Sequence, residues 1–369
     1  MPLAGNTRTL IYIGTYTNME LEARGKAEGI HICEFDAGTG ALVLVRTIPG
    51  VPNPSFLALA PDGRTLYAVN ELGEIDGHAG GAVSAFAVDS ATGELTFLNR
   101  QASEGSDPCH ISVDASGRAV LVANYSSGNV ALLQVADDGS LHPAVDKWQH
   151  VGSGPDPERQ AGPHAHFIAP DPTNRFALSN DLGIDQVLVY RLNPEFAVLL
   201  PNDPPAASMP AGAGPRHLAF HPSAPFVYVI NELASTMTTC RWDEMDGILE
   251  PIQTVSTLPD DFVSTSSCAD VHVAPSGRFV YGSNRGHDSI VVFAVDPADG
   301  TLTAIDYTPT GGRNPRSFAI DPTGRFLLVA NQDTDTIVTF RIDPASGLLW
   351  ETGLVADLPT PICVLFAHS

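Results

Sequence analysis

Arg216, Arg285 and Arg316 stand at positions where a repeated segment elsewhere carries small or neutral groups, and they account for three of only 19 basic residues. His166 and the carboxylates Glu71, Asp181 and Glu232 depart from the same pattern. Guanidinium forks match carboxylate or phosphate in bidentate fashion, so several converging on one pocket would trap an anion locally. A histidine and a carboxylate beside them would add a proton acceptor, and an arginine would stabilise a developing oxyanion. The bland reading of the same set is a water-filled channel whose arginines and carboxylates merely neutralise one another. The stretch GSGPDPERQAGPHAH (152–166) sharpens the first reading. It is longer than the comparable connections, and long loops in compact domains tend to carry function. It delivers Arg159 and Gln160, then His164 and His166, which two-residue spacing puts on one side of an extended strand. Two such histidines could ligate a metal. No third ligand is evident and the arginines would repel a cation, so neither metal nor cofactor is expected. His110 and His217 take the place of Phe56 and Phe167 in other segments, which predicts packed histidines.

The elements that must position these groups come from an internal repeat. NPSFLALAPDGRTLYAVNEL (53–72) is followed 54 residues on by DPCHISVDASGRAVLVANYS (107–126), and further copies begin at 164, 214, 267 and 314. Each copy alternates apolar and other residues, turns at a short Asp/Ser/Gly-rich segment and alternates again, the pattern of a β-hairpin. A second hairpin with a D-x-x-x-G turn follows, as in SIVVFAVDPADGTLTAID (289–306). Four antiparallel strands in about 50 residues cannot bury both faces alone, so such units stack around an axis as propeller blades. The C-terminal PICVLFAHS resembles only a first strand, whereas the N-terminal segments resemble strands two to four. Pairing them closes a ring and removes an open sheet edge. The expected fold is therefore all-β: one seven-bladed propeller domain over 1–369, with no linker.

In that fold the first strand of each blade lines the axial channel and its start lies beside the end of the second. The residue after the recurring Pro reads Ser55, Cys109, His166, Arg216, Ala269, Arg316 and Ile362. The residue after the recurring Asn reads Tyr16, Glu71, Tyr125, Asp181, Glu232, Arg285 and Gln332. Symmetry about the turns predicts pairs 55–71, 216–232 and 269–285 at one mouth. The recurring asparagines, Asn180 among them, are expected to be structural, since chemistry needs a site once. Arg64, Arg118, Arg175, Arg278 and Arg325 are expected as solvated turn residues at the opposite face.

Composition limits the partners. With 42 acidic residues, a net charge of −23 and no clustered basic surface in the sequence, general attraction to nucleic acid or anionic lipid is excluded. No run of 18 apolar residues occurs, and the opening residues lack a basic region followed by a long apolar stretch, which predicts a soluble cytoplasmic protein. Five cysteines at scattered spacing predict free buried thiols. No obligate protein partner is indicated.

RQAGPHAH, GPRHLAF followed by INEL, and SNRGHDSI, set in YVAN-like repeats, resemble the seven-bladed propeller lactonase family across essentially the whole chain. That family includes bacterial 6-phosphogluconolactonases of carbohydrate metabolism and fungal 3-carboxy-cis,cis-muconate lactonising enzymes. The resemblance implies a metal-independent site of His166 or His164, Arg216, Glu232 and Arg285. Hydrolysis of an anionic sugar lactone is expected, with His166 as base assisted or replaced by Glu232 and Arg216 on the oxyanion. Arg285, Arg316 and Arg159 would grip the anion, with His164, Gln160, Glu71, Asp181 and Tyr125 also against the substrate. Cycloisomerisation of a carboxymuconate and a noncatalytic binding scaffold are the alternatives.

Overall fold

The structure, a computed structural model, describes residues 8–17, 25–75 and 77–367. Seven four-stranded antiparallel sheets follow in order around an axis. Blade 1 combines Arg8–Thr15, Gly29–Asp36 and Leu42–Pro49 with the C-terminal strand Pro361–Phe366, which pairs with Arg8–Thr15. The ring is thus closed as the sequence predicts. Blades 2 to 7 span 57–102, 108–149, 165–208, 215–256, 267–309 and 315–357. No helix of the described residues is long and apolar enough to cross a membrane.

Second strands such as Ala119–Asn124, Phe226–Asn231 and Phe326–Asn331 are buried at every residue. Each lies between two neighbouring sheets, so both faces need apolar groups and the expected alternation vanishes. Alternation survives in outer strands such as Leu141–Gln149. The apolar clusters bridge adjacent blades, as where Val187 and Val189 meet Leu218, Val227 and Val229. The D-x-x-x-G turns join the same contacts: a Cβ on Gly300 would lie 2.5 Å from the Phe226 ring of the preceding blade. The segment after Asn193 supplies the outer strand Val198–Ser208, at the rim of blade 4.

The far-end arginines are exposed turn residues, as expected, but three of them also bind a neighbour. Arg175, Arg278 and Arg325 are exposed, yet each donates to a backbone carbonyl of the next blade's outer turn: Glu244, Ala345 and Ala37 respectively. They also lie over the rings of Phe176, Phe279 and Phe326. They staple blade to blade.

At the mouth the ladder slips. Pro108 pairs with Asn124 but His110 with Ala123, and Pro215 pairs with Asn231 but His217 with Ile230. The same irregularity occurs next to His166, Arg316 and Ile362. The extra residue is therefore the one after the recurring Pro, and bulges of this kind re-aim a side chain. The simple symmetry missed this: Arg285 pairs with Ser267, and the Glu232 amide donates to Gly214.

Candidate active site

Four bulge and strand-end positions and one loop residue bring charge to one mouth. Glu232 leaves the end of Phe226–Asn231, Arg285 ends Phe279–Arg285, Arg216 occupies the blade 5 bulge and Arg316 the blade 7 bulge, while Arg159 enters from the long loop before blade 4. Glu232 is the hub. Its Oε1 accepts from Arg159 Nη2 at 2.8 Å, and its Oε2 lies 2.8 Å from Arg285 Nη2 and 3.0 Å from Arg216 Nε. The last contact is out of line for a hydrogen bond, leaving that Nε unpaired. Burial works against the ionised carboxyl, but Arg285, Arg216 and Arg159 outweigh it and lower its pKa to about 2. Three guanidiniums around one carboxylate leave the cluster net positive. Glu232 is thus an anion that gathers arginines, and its depressed pKa makes it a weak proton acceptor beside His166.

A cavity of about 830 Å³ opens over this cluster, lined by Arg159, His164, His166, Glu232, Arg285 and Arg316, with Tyr16, Glu71 and Tyr125. Arg316 contrasts with the other arginines. Its guanidinium stands 5.5 Å from the centre of the Tyr16 ring and makes no hydrogen bond or ion pair among the described residues. Tyr16 instead donates to Glu71 Oε1 at 2.8 Å. Burial above all raises the Glu71 pKa, against the pull of Arg316.

His166 is buried, with its Nδ1 lacking a partner among the described residues. Burial first, then the charges of Arg216, His217 and Arg316, holds its pKa well below the ordinary histidine value, so the ring is neutral at physiological pH. Tyr125 meets it edge-on at 5.5 Å and stacks on His164 at 4.5 Å. His164 Nδ1 lies 3.0 Å from the Tyr125 carbonyl, and Arg159 Nη2 donates to the Tyr125 hydroxyl at 3.2 Å. Below them, Phe56, His110, Phe167 and His217 pack in the channel, as expected for both histidines. His217 is also polar-bonded: its Nδ1 lies 3.0 Å from buried Asp270. Burial above all, and Arg216 beside it, lowers its pKa to about 4.

Three expectations need correction. Arg216 belongs to the cluster but sits behind Glu232, away from the cavity lining, with Nη1 donating to the Ala269 carbonyl at 2.6 Å. An oxyanion role for it is therefore poorly placed. Gln160 is buried in its own loop, where Nε2 donates to Leu182 O and Asp185 Oδ1, both at 2.8 Å. Asp181 is not a mouth residue. It pairs with Gln186 where the other blades pair their recurring Asn with the third strand, so Asp181, not Asn180, holds the structural position. Blade 4 is therefore not short in this strand: Phe176–Asp181 has the length of Ala119–Asn124, with Asp in place of the recurring Asn.

Lining residues missed from sequence include Asp107 and Ser267. Both stand two residues before a mouth position, as His164 does before His166. Extending that spacing around the ring would have found them. Glu158 and Ser126 adjoin Arg159 and Tyr125. Among the described residues no group of three His, Cys, Asp or Glu side chains is arranged to hold a metal, and all five cysteines are buried and free.

Comparison with known proteins matches this geometry to a family. Residues 10–366 match the model described as lactonase, 7-bladed beta-propeller. The chain is 39% identical over 363 residues to the 6-phosphogluconolactonase of Bacillus subtilis strain 168, covering 98% of this chain and 99% of that one. It is 33% identical to a Formosa agariphila 6-phosphogluconolactonase, covering 84% of this chain and 86% of the other. The solved structure of Pseudomonas aeruginosa periplasmic gluconolactonase superposes with a TM-score of 0.90 at 35% identity, covering 98% of this chain and 99% of that one. A match over nearly the full length, with the propeller and its arginine-rich mouth, establishes that the chain belongs to the seven-bladed β-propeller lactonase family.

Proposed function

We propose that the protein hydrolyses the lactone of a phosphorylated sugar acid, 6-phosphogluconolactone being the best-fitting substrate, without a metal ion. The observation that carries the reading is the contrast within one cavity between Arg316, which makes no hydrogen bond or ion pair among the described residues, and arginines already gathered by Glu232. A guanidinium with donors to spare is the group that a phosphate would engage, by charge-assisted forked hydrogen bonds. His166, neutral and at the cavity wall, takes a proton from water as the oxygen attacks the lactone carbonyl. Arg285, whose Nη2 is fixed by Glu232 and the Cys268 carbonyl, stabilises the oxyanion. Collapse breaks the acyl–oxygen bond and returns the proton to the ring oxygen, giving the open hydroxy acid. An anion bound at Arg316 offsets one of the charges that depress His166, raising its basicity when substrate is present.

The donor set favours metal independence: Glu232 is committed to three guanidiniums and Glu71 to Tyr16, so neither carboxylate stands open to a hard cation. The relatives' names favour hydrolysis over cycloisomerisation, and a polar, charge-lined cavity favours catalysis over a passive scaffold. Five buried free thiols suit a reducing cytoplasm. The test is hydrolysis of 6-phosphogluconolactone by purified, chelator-treated protein, compared with the spontaneous rate. Acceleration that survives chelation supports the reading; no acceleration, across this and other aldonolactones, sinks it.

A further inference from the structure

Blade 4 departs from the repeat directly beneath its own mouth histidine. In blades 3, 6 and 7 the recurring Asn donates its amide to the carbonyl of the residue following the previous blade's outer strand: Asn124 to Ser103, Asn284 to Thr257 and Asn331 to Thr310. In blade 4 the polarity is reversed. Asp181, which has only acceptor oxygens when ionised, stands in the Asn position, and His150 stands in that of Ser103, Thr257 and Thr310. His150 Nδ1 lies 2.6 Å from Asp181 Oδ2, and its Nε2 lies 2.9 Å from the Tyr190 hydroxyl. Histidine, carboxylate and tyrosine are all buried.

The reversal frees the other carboxylate oxygen for a second task. Asp181 Oδ1 accepts the backbone N–H of His164 at 2.7 Å and that of Gly183 at 3.0 Å. By contrast, the side-chain oxygens of Asn124, Asn231 and Asn331 have no partner among the described residues. An asparagine at 181 has one acceptor oxygen, so it could hold the two amides only by meeting His150 through its NH2, with the imidazole proton moved to Nε2. The His164 amide opens the His164–His166 segment, whose last residue is the bulge that projects into the cavity.

We propose that Asp181 and His150 are positioning residues that set the His164–His166 bulge for reaction. Their kinetic readout rests on the lactonase reading above; their spectroscopic readout does not. The informative variant is H150T/D181L, which takes the acceptor away from the His164 and Gly183 amides and removes its histidine partner with it, so that no unpaired buried charge is left. It should still melt cooperatively, below the parent, with KM within about twofold and kcat lowered about tenfold, the scale of a modest misplacement of a reacting group. The imidazole NMR signals of His164 and His166 should move in this variant and stay in place in H150N, whose amide keeps a donor near the Nδ1 position. A folded double variant with parental kcat and unmoved histidine signals overturns the proposal. Should the double variant not fold, H150N against H150T decides: retained kcat in the first with a loss in the second supports positioning, and equal values overturn it. If the parent hydrolyses no lactone, the functional reading fails, and the histidine spectra alone judge the positioning claim.

Discussion

The two ends of the propeller are built from the same strands on opposite rules. At the far end, Asp114, Asp171 and Asp321 each accept two successive backbone amides across their turns: those of Arg118 and Ala119, Arg175 and Phe176, and Arg325 and Phe326. The solution is copied from blade to blade. At the mouth, corresponding positions hold Cys109, His166, Arg216 and Arg316, no two blades contributing the same surroundings. Repetition serves a need that every blade shares, the closing of a turn and the stapling of a neighbour. Divergence serves a need that arises once, and it is confined to the end where a bulge already turns side chains inward.

The sharpest way to break this division is to remove the base. His166→Gln should lower kcat by about 10²- to 10⁴-fold, the range for losing a general base, with little change in Tm; a large fall in Tm with modest kinetic loss would make His166 a far-end type of residue. Next is Arg316→Ala, which should raise KM for a phosphorylated lactone by about 10- to 100-fold through loss of a charge-assisted contact. KM for the uncharged parent lactone should hardly change, and equal changes for both would remove Arg316 as the anion anchor.

Acid sharpens the comparison further. Because His166 is held well below the ordinary histidine value, the acid limb of kcat/KM should fall well below pH 6.5. Stability responds to Glu232 in the same direction. A carboxyl depressed to about 2 contributes stability that is complete above its unfolded value of 4.5 and is lost as pH falls toward 2. Glu232→Gln should flatten the acid side of a denaturation profile over that window, and an unchanged profile would show that the arginine hub adds nothing. The smallest kinetic effect belongs to the far end: Asp321→Ala should cost about 2 kcal/mol of stability through its lost amide contacts, read as a lower Tm at unchanged kcat.

The fold was legible because the repeat is written in whole strands and turns, down to the C-terminal PICVLF that completes blade 1. The mouth was legible in residue type, since His166, Arg285, Arg316 and Glu232 break a pattern that is otherwise kept. Depth was not. Whether an arginine lines a cavity or stands behind its carboxylate, as Arg216 does, depends on a one-residue ladder slip that symmetry about a turn cannot reveal. Asp181 shows a different limit. Its spacing from Arg175 is that of Asn124 from Arg118, but an asparagine one place earlier draws the alignment off, and pairing with Gln186 confirms Asp181 in the structural row.

The most direct test is a crystal structure with the hydroxy-acid product 6-phosphogluconate bound. The account predicts its phosphate on Arg316 beside Tyr16, and its carboxylate between His166 and Arg285. A product seated outside the mouth cavity, or held with Arg316 untouched, would contradict it.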